Sequence, residues 1–146
     1  MNNADGAAVG FEQADDTIFS LLHAAHALED RLEERLAAVG LSTPKFSVLS
    51  ALVSSDKPLS LSDLASRLSC VRSNMTQLVD RLEADELVKR VHDPADRRAV
   101  KAAITDLGRE RQAAGAAEVA RLHQEFSASV GPSDRAALQR MLSALE

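Results

Sequence analysis

The sequence holds one cysteine, no tryptophan and no tyrosine, and only four prolines and six glycines among its 146 residues. A lone cysteine excludes an intramolecular disulfide framework and a multi-cysteine zinc site, so the reducing cytoplasm is the expected setting. Scarce turn formers argue against an all-β sandwich. The only aromatics are four phenylalanines, too few for the stacking platforms of single-strand binders. No apolar run approaches the roughly 18 residues of a membrane span, and no basic-then-apolar leader opens the chain. No membrane association is expected. Enzyme signatures are missing too: there is no P-loop, G-x-G-x-x-G, G-x-S-x-G or metalloprotease motif. Neither catalysis nor a cofactor is expected.

What is present fits one globular domain with a helical appendage, at 45% hydrophobic and 27% charged residues. The net charge of −5 hides an asymmetry. From Lys57 to Lys101 nine Lys and Arg face seven Asp and Glu, whereas the rest of the chain carries eight against fifteen. A mildly basic middle between acidic flanks suits local binding of DNA by a soluble protein.

Residues 1–10 are small and polar without a period, and read as a flexible tail. From Phe11 to Gly40, Ile18, Leu21, Leu22, Ala25, Leu28, Leu32 and Leu36 recur at helical spacing. A stripe that long exceeds what one small core needs and predicts a partner helix. Thr43-Pro44 predicts the cap and first residue of a second helix, buried through Phe46, Leu49, Leu52 and Val53. Ser60-Leu61-Ser62-Asp63 is a capping pattern for a short third helix. A turn at Ser69–Val71 leads to a fourth helix from Arg72 to Ala84, with Met75, Leu78, Val79 and Leu82 inward. Leu87–Val91 and Val100–Ile104 predict a hairpin around the turn cluster from Asp93 to Arg98. Thr105-Asp106 caps a long fifth helix with Leu107, Ala114, Val119, Leu122 and Phe126 on its apolar side. Gly131-Pro132-Ser133 ends it, and a sixth helix follows from about Asp134. The fold class is therefore mainly α, a winged helix-turn-helix with a two-stranded β wing. Four parts are expected: the tail 1–10, an N-terminal helix 11–40, the helices and hairpin of 41–105 and the C-terminal helices 106–146.

Two short helices around a tight turn form a helix-turn-helix when the second buries one side and offers the other to the major groove. The outward residues of the fourth helix are Arg72, Ser73, Asn74, Thr76, Gln77 and Arg81. Asn and Gln pair with adenine and Arg with guanine, each good bidentate pair giving about 1–3 kcal/mol of discrimination. The hairpin would place Arg97 and Arg98 in the adjacent minor groove. Asp96 beside them would hold a guanidinium in one orientation.

The run Leu64-Ala65-Ser66-Arg67-Leu68, the recognition-helix segment Arg72–Glu83, Leu87-Val88-Lys89-Arg90, Asp93-Pro94-Ala95-Asp96-Arg97-Arg98 and Ile104-Thr105-Asp106-Leu107-Gly108 together resemble the multiple-antibiotic-resistance regulator (MarR) family. The resemblance implies a winged-helix homodimer, joined through its first, fifth and sixth helices, that binds double-stranded DNA at pseudo-palindromic operators, as a repressor in the leading reading. It also implies a small phenolic or lipophilic ligand, with oxidation or metal as the signal in other members. Two departures stand out. Asp85-Glu86 occupies the turn where the family often has glycine, and Val71 replaces the usual Ser or Thr cap of the recognition helix.

Several residues admit two readings. Cys70 is a redox switch or a small buried hydrophobe at a position where relatives often have valine. His23 and His26, with His123 or Glu29, would be a metal or ligand site, or interface lining; no metal site is expected. His92 is a phosphate contact or an exposed histidine. Leu22, His26, Phe46 and Leu49 line a ligand pocket or belong to the core. The alternative to a DNA reader is a winged-helix protein-interaction module, favoured by the acidic total charge and by Glu86.

Overall fold

A computed structural model describes residues 16–145. The elements in chain order are α1 (Thr17–Ala37), α2 (Thr43–Ser55), β1 (Leu59–Ser60), α3 (Leu61–Arg67), α4 (Arg72–Ala84), β2 (Val88–Asp93), β3 (Asp96–Ile104), α5 (Asp106–Ser129) and α6 (Pro132–Ser143). Phe11 and the tail lie outside the described residues.

The core sits in the central part of the chain. Leu36, Val48, Leu49, Leu64, Met75, Val79 and Leu82 are wholly buried, joined by Leu52, Leu59, Leu87, Val88 and Ala102. One buried side chain of this size contributes about 1.5–3 kcal/mol, so the three turns of α4 that bury Met75, Val79 and Leu82 hold its inner side firmly. On α2 the inward side is Val48, Leu49 and Leu52, with Phe46 and Val53 only half-buried. Phe46 packs instead against Gly115 of α5, where a Cβ would lie 2.7 Å from its ring.

The local signals explain most boundaries. Gly40 adopts φ +74° beyond α1, and the Leu41 N–H reaches back to the Leu36 carbonyl at 2.9 Å, closing the helix end. Ser60 caps α3 through the Asp63 N–H (3.0 Å), and Thr105 caps α5 through the Gly108 N–H (2.9 Å). At α2 the cap is Ser42, whose Oγ accepts from the Lys45 N–H at 3.4 Å. The expectation for Thr43 shifts by one residue for a physical reason. Its N–H and hydroxyl are both held by the Glu33 carboxylate of α1, at 2.9 and 2.6 Å, and helical geometry already begins there.

The sheet differs from the two-stranded wing read from the sequence. Its order is β1-β3-β2, all antiparallel. Leu59 pairs with Ala102 and Ser60 with Lys101, so a two-residue strand before α3 covers the inner edge of β3. A two-residue strand has no period to detect, which is why it escaped. The hairpin is also tighter than expected. β2 extends to Asp93 and β3 begins at Asp96, leaving Pro94-Ala95 as the turn and placing Arg97 and Arg98 on a strand. Likewise α6 starts at Pro132 rather than near Asp134, because proline fits the first helical turn.

Both terminal helices leave apolar surface uncovered. Ile18 and Phe19 of α1 are 69% and 72% exposed, and Met141 of α6 is 65% exposed. No residue of α6 is buried. The stripe predicted along the first helix thus exists, but in its first half Ile18, Phe19, Leu21 and Leu22 all stay exposed.

Candidate nucleic-acid interface

The interface is built on α3, the turn after it and α4. Ser69 turns the chain at φ +49°, and the Cys70 N–H bonds the Ala65 carbonyl at 2.9 Å. This corner sets α4 across α3 with Met75, Val79 and Leu82 inward. Arg72, Ser73, Asn74, Thr76, Gln77 and Arg81 are all exposed, as the helical spacing requires. Thr76 donates its hydroxyl to the Arg72 carbonyl at 3.1 Å. That bond fixes its rotamer and leaves the oxygen free to accept. No ion pair engages Arg72 or Arg81 among the described residues.

Two departures noted in the sequence take physical form here. Val71 caps α4 with no side-chain hydrogen bond and is 61% exposed. Val71→Ser supplies an acceptor for an orphan N–H of the first turn at little cost in burial. Stability should rise by about 1 kcal/mol, measured by urea unfolding; an unchanged midpoint would show that water already satisfies that turn. At the other end Glu86 sits at φ +61°, the left-handed conformation that glycine adopts without strain. Its carbonyl accepts from the Thr105 hydroxyl at 2.7 Å, which ties the strained corner to the start of α5.

The wing projects beside α4. The Asp93 carboxylate accepts from the Ala95 N–H at 2.9 Å and pairs with Lys101 at 3.0 Å. The Ala95 bond first, and Lys101 after it, hold the Asp93 carboxyl below its ordinary pKa. The Asp96 carboxylate accepts the backbone N–H of Arg98 at 2.9 Å. Asp96 therefore shapes the tip through the main chain and makes no ion pair with Arg97 or Arg98, contrary to the guanidinium-holding role read from the sequence. Both arginines are exposed. His92 is exposed and its Nδ1 lies 3.2 Å from the Arg97 carbonyl.

Ion pairs engage part of the charge in this region and leave several cations unpaired. Arg90 takes up Asp80 and Glu83, Lys45 takes up Asp85, and Lys101 takes up Asp93. Arg67, Arg72, Arg81, Lys89, Arg97 and Arg98 have no ion pair among the described residues. The sequence reading missed Arg90 and Lys45. Their partners lie 10 and 40 residues away, so neither pair shows as a helical i,i+4 spacing.

A cleft of about 550 Å³ opens behind α4, between the start of α2 (Thr43, Pro44, Ser47) and the segment Leu68–Val71, with Asn74 and Leu78 on its floor. Half-buried Cys70 lines it, with Sγ 3.5 Å from the Val71 carbonyl. The four residues read as a possible pocket do not meet there. Leu49 is wholly buried, Phe46 packs on Gly115, and Leu22 and His26 lie exposed on α1, where His26 Nδ1 bonds the Leu22 carbonyl at 2.8 Å. His123 and Glu29 border a shallow apolar groove between α1 and α5, without His23 or His26. No group of three or more His, Cys, Asp or Glu able to hold a metal occurs among the described residues. No described helix is long and apolar enough to cross a membrane.

A supporting helix, a tight corner, a second helix with an unpaired polar outer side and a hairpin fastened beside it define a winged helix-turn-helix. Residues 41–100 match the model of the MarR family. The transcriptional regulator PrsX of Escherichia coli is 33% identical over 88 residues, covering 60% of this chain and 53% of PrsX. The chain spans about half the length of the curated relatives it matches first. Among solved structures, CouR from Rhodococcus jostii bound to p-coumaroyl-CoA is 25% identical, with a TM-score of 0.73 and coverage of 90% of this chain and 92% of CouR. A mutant of Escherichia coli MarR complexed with operator DNA has a TM-score of 0.75 at 23% identity, covering 91% and 98%; at that identity it supports the fold.

Proposed function

We propose that this protein is a homodimeric transcriptional regulator, acting as a repressor, that reads a pseudo-palindromic operator in double-stranded DNA. The observation that carries this reading is the polar outer side of α4, where Arg72, Ser73, Asn74, Thr76, Gln77 and Arg81 are exposed beside a wing bearing Arg97 and Arg98. The operator-bound MarR mutant has the same fold. The exposed apolar residues of α1 and α6 favour a second copy as their cover, because no residue of α6 is fully buried in its own chain and Met141, with Leu145 just beyond the helix, stands exposed. Two copies would present their α4 helices to successive major grooves, roughly 34–36 Å apart. On this reading 11–40 and 106–146 are dimerisation segments around the DNA-binding part.

A small lipophilic or phenolic ligand fits this scheme, and the CouR complex shows such a fold holding a coumaroyl thioester. The cleft behind α4 is the better site for it than the surroundings of Leu22, His26, Phe46 and Leu49, because its floor is the DNA-reading helix itself. A ligand there biases the setting of α4 only as far as it binds two settings unequally. Oxidation of Cys70, on the same wall, is a second route to the same shift.

The test selects duplexes from a random library with the protein and measures affinity by fluorescence anisotropy. Arg72→Ala and Gln77→Ala should each cost about 1–3 kcal/mol and relax the choice of base at their own positions. Sedimentation should give a dimer. A monomer, or absence of salt-dependent binding to any duplex, would favour a protein-interaction module instead.

A further inference from the structure

Arg90 belongs to the wing, where it pairs with Ala102 of β3, yet its guanidinium and its backbone N–H both reach side chains of α4. Its Nη2 meets Asp80 Oδ1 at 2.5 Å, its Nη1 meets Glu83 Oε1 at 3.0 Å, and its backbone N–H donates to Glu83 Oε2 at 2.9 Å. Among the described residues no other hairpin side chain bonds a side chain of α4. Asp80 and Glu83 share one edge of the helix, and Arg81 between them is a candidate DNA contact.

We propose that Arg90 is a positioning residue for DNA recognition, a clamp through which Asp80 and Glu83 fix the angle between the reading helix and the wing. The proposal rests on α4 entering the groove, as in the function proposed for the chain. Three considerations favour it over a phosphate contact. A guanidinium with two carboxylates at hydrogen-bond distance leaves a local excess of negative charge, which repels phosphate. The planar fork held at two points fixes direction as well as distance. The partners are also partly exposed, with side chains 29%, 58% and 42% accessible for Arg90, Asp80 and Glu83. Ion pairs in such surroundings contribute little to stability, so the clamp should show in recognition rather than in folding.

The alternatives predict opposite signs. Asp80→Asn/Glu83→Gln removes two negative charges beside the DNA. Simple electrostatics then gives tighter binding to every duplex. Loss of the clamp instead lowers the preference for a duplex selected by the wild-type protein over a scrambled duplex. That ratio should fall about tenfold, the size of one misread base pair, while affinity for the scrambled duplex holds or rises. Arg90→Gln should lower the ratio similarly, and Arg90→Lys should restore only part of it. The midpoint of thermal unfolding should stay close to wild type in all of them.

Equal gains on both duplexes for the double variant would overturn the proposal. So would a fall in the salt dependence of Arg90→Gln by about 0.9 per protomer in log–log slope, the mark of a phosphate no longer neutralised. A ratio that drops only in step with the melting temperature would reduce Arg90 to a structural part and also overturn it. If wild type itself fails to distinguish the two duplexes, the groove-entry reading falls and the clamp falls with it. If wild type discriminates and the variants match it, only the clamp falls.

Discussion

Gly108→Ala should destabilise the protein by about 3 kcal/mol, lowering its melting temperature by roughly 10 °C at fixed chain concentration. Gly108 is buried in the first turn of α5, and its N–H bonds the Thr105 cap. A Cβ there would collide with the Leu87 carbonyl oxygen and lie 2.8 Å from Ile104 Cγ1. The first neighbour is backbone, so no rotamer change removes the clash. Leu87 leads into β2 and its carbonyl already accepts from the Thr105 N–H at 3.1 Å. To admit a methyl group, α5 must lift away from the base of the wing, breaking that bond. Denaturation of the variant measures the cost, and a loss below about 1 kcal/mol would mean that the junction relaxes more easily than close-packed backbone does.

Arg97→Ala/Arg98→Ala should weaken binding to all duplexes alike and leave the sequence preference nearly intact. Both side chains are exposed near the tip, without an ion pair among the described residues, and lie on the strand that Asp96 starts. Charges placed against phosphates or a narrow minor groove add affinity without choosing bases in the major groove. Every phosphate that the arginines no longer neutralise lowers the salt slope by about 0.9, so a dimer deprived of all four side chains should fall by about 3 to 4. Affinity should drop by about a hundredfold or more near physiological salt. An unchanged slope would show that the wing points away from DNA.

The helix-turn-helix was legible because its signals are local. Ser60 and Thr105 cap where the pattern places them, and the spacing of Met75, Val79 and Leu82 orients α4 correctly. Glu86 was legible as a misfit, and it does take the left-handed turn at φ +61°. What failed to show depends on residues far apart in the chain. β1 is a strand only because Ala102 and Lys101 lie beside it. Ser42 rather than Thr43 is the cap because Glu33 on another helix claims Thr43. Asp96 looked like a partner for a neighbouring guanidinium, but the tight turn brings the Arg98 N–H to it first. The cleft joins α2 to α4 across a sequence gap that no spacing rule spans.

β3 is hydrogen-bonded on both flanks, to β1 leading into α3 and to β2, which Arg90 fastens to α4. With the proposed Arg90 clamp in place, wing and helix would move as one body, a single reading head. On the dimeric reading proposed above, an inducer that loosened the grip on DNA would have to tilt the entire head relative to its twin, making the joints with α1 and α5 the hinges through which a chemical signal becomes a change of stride.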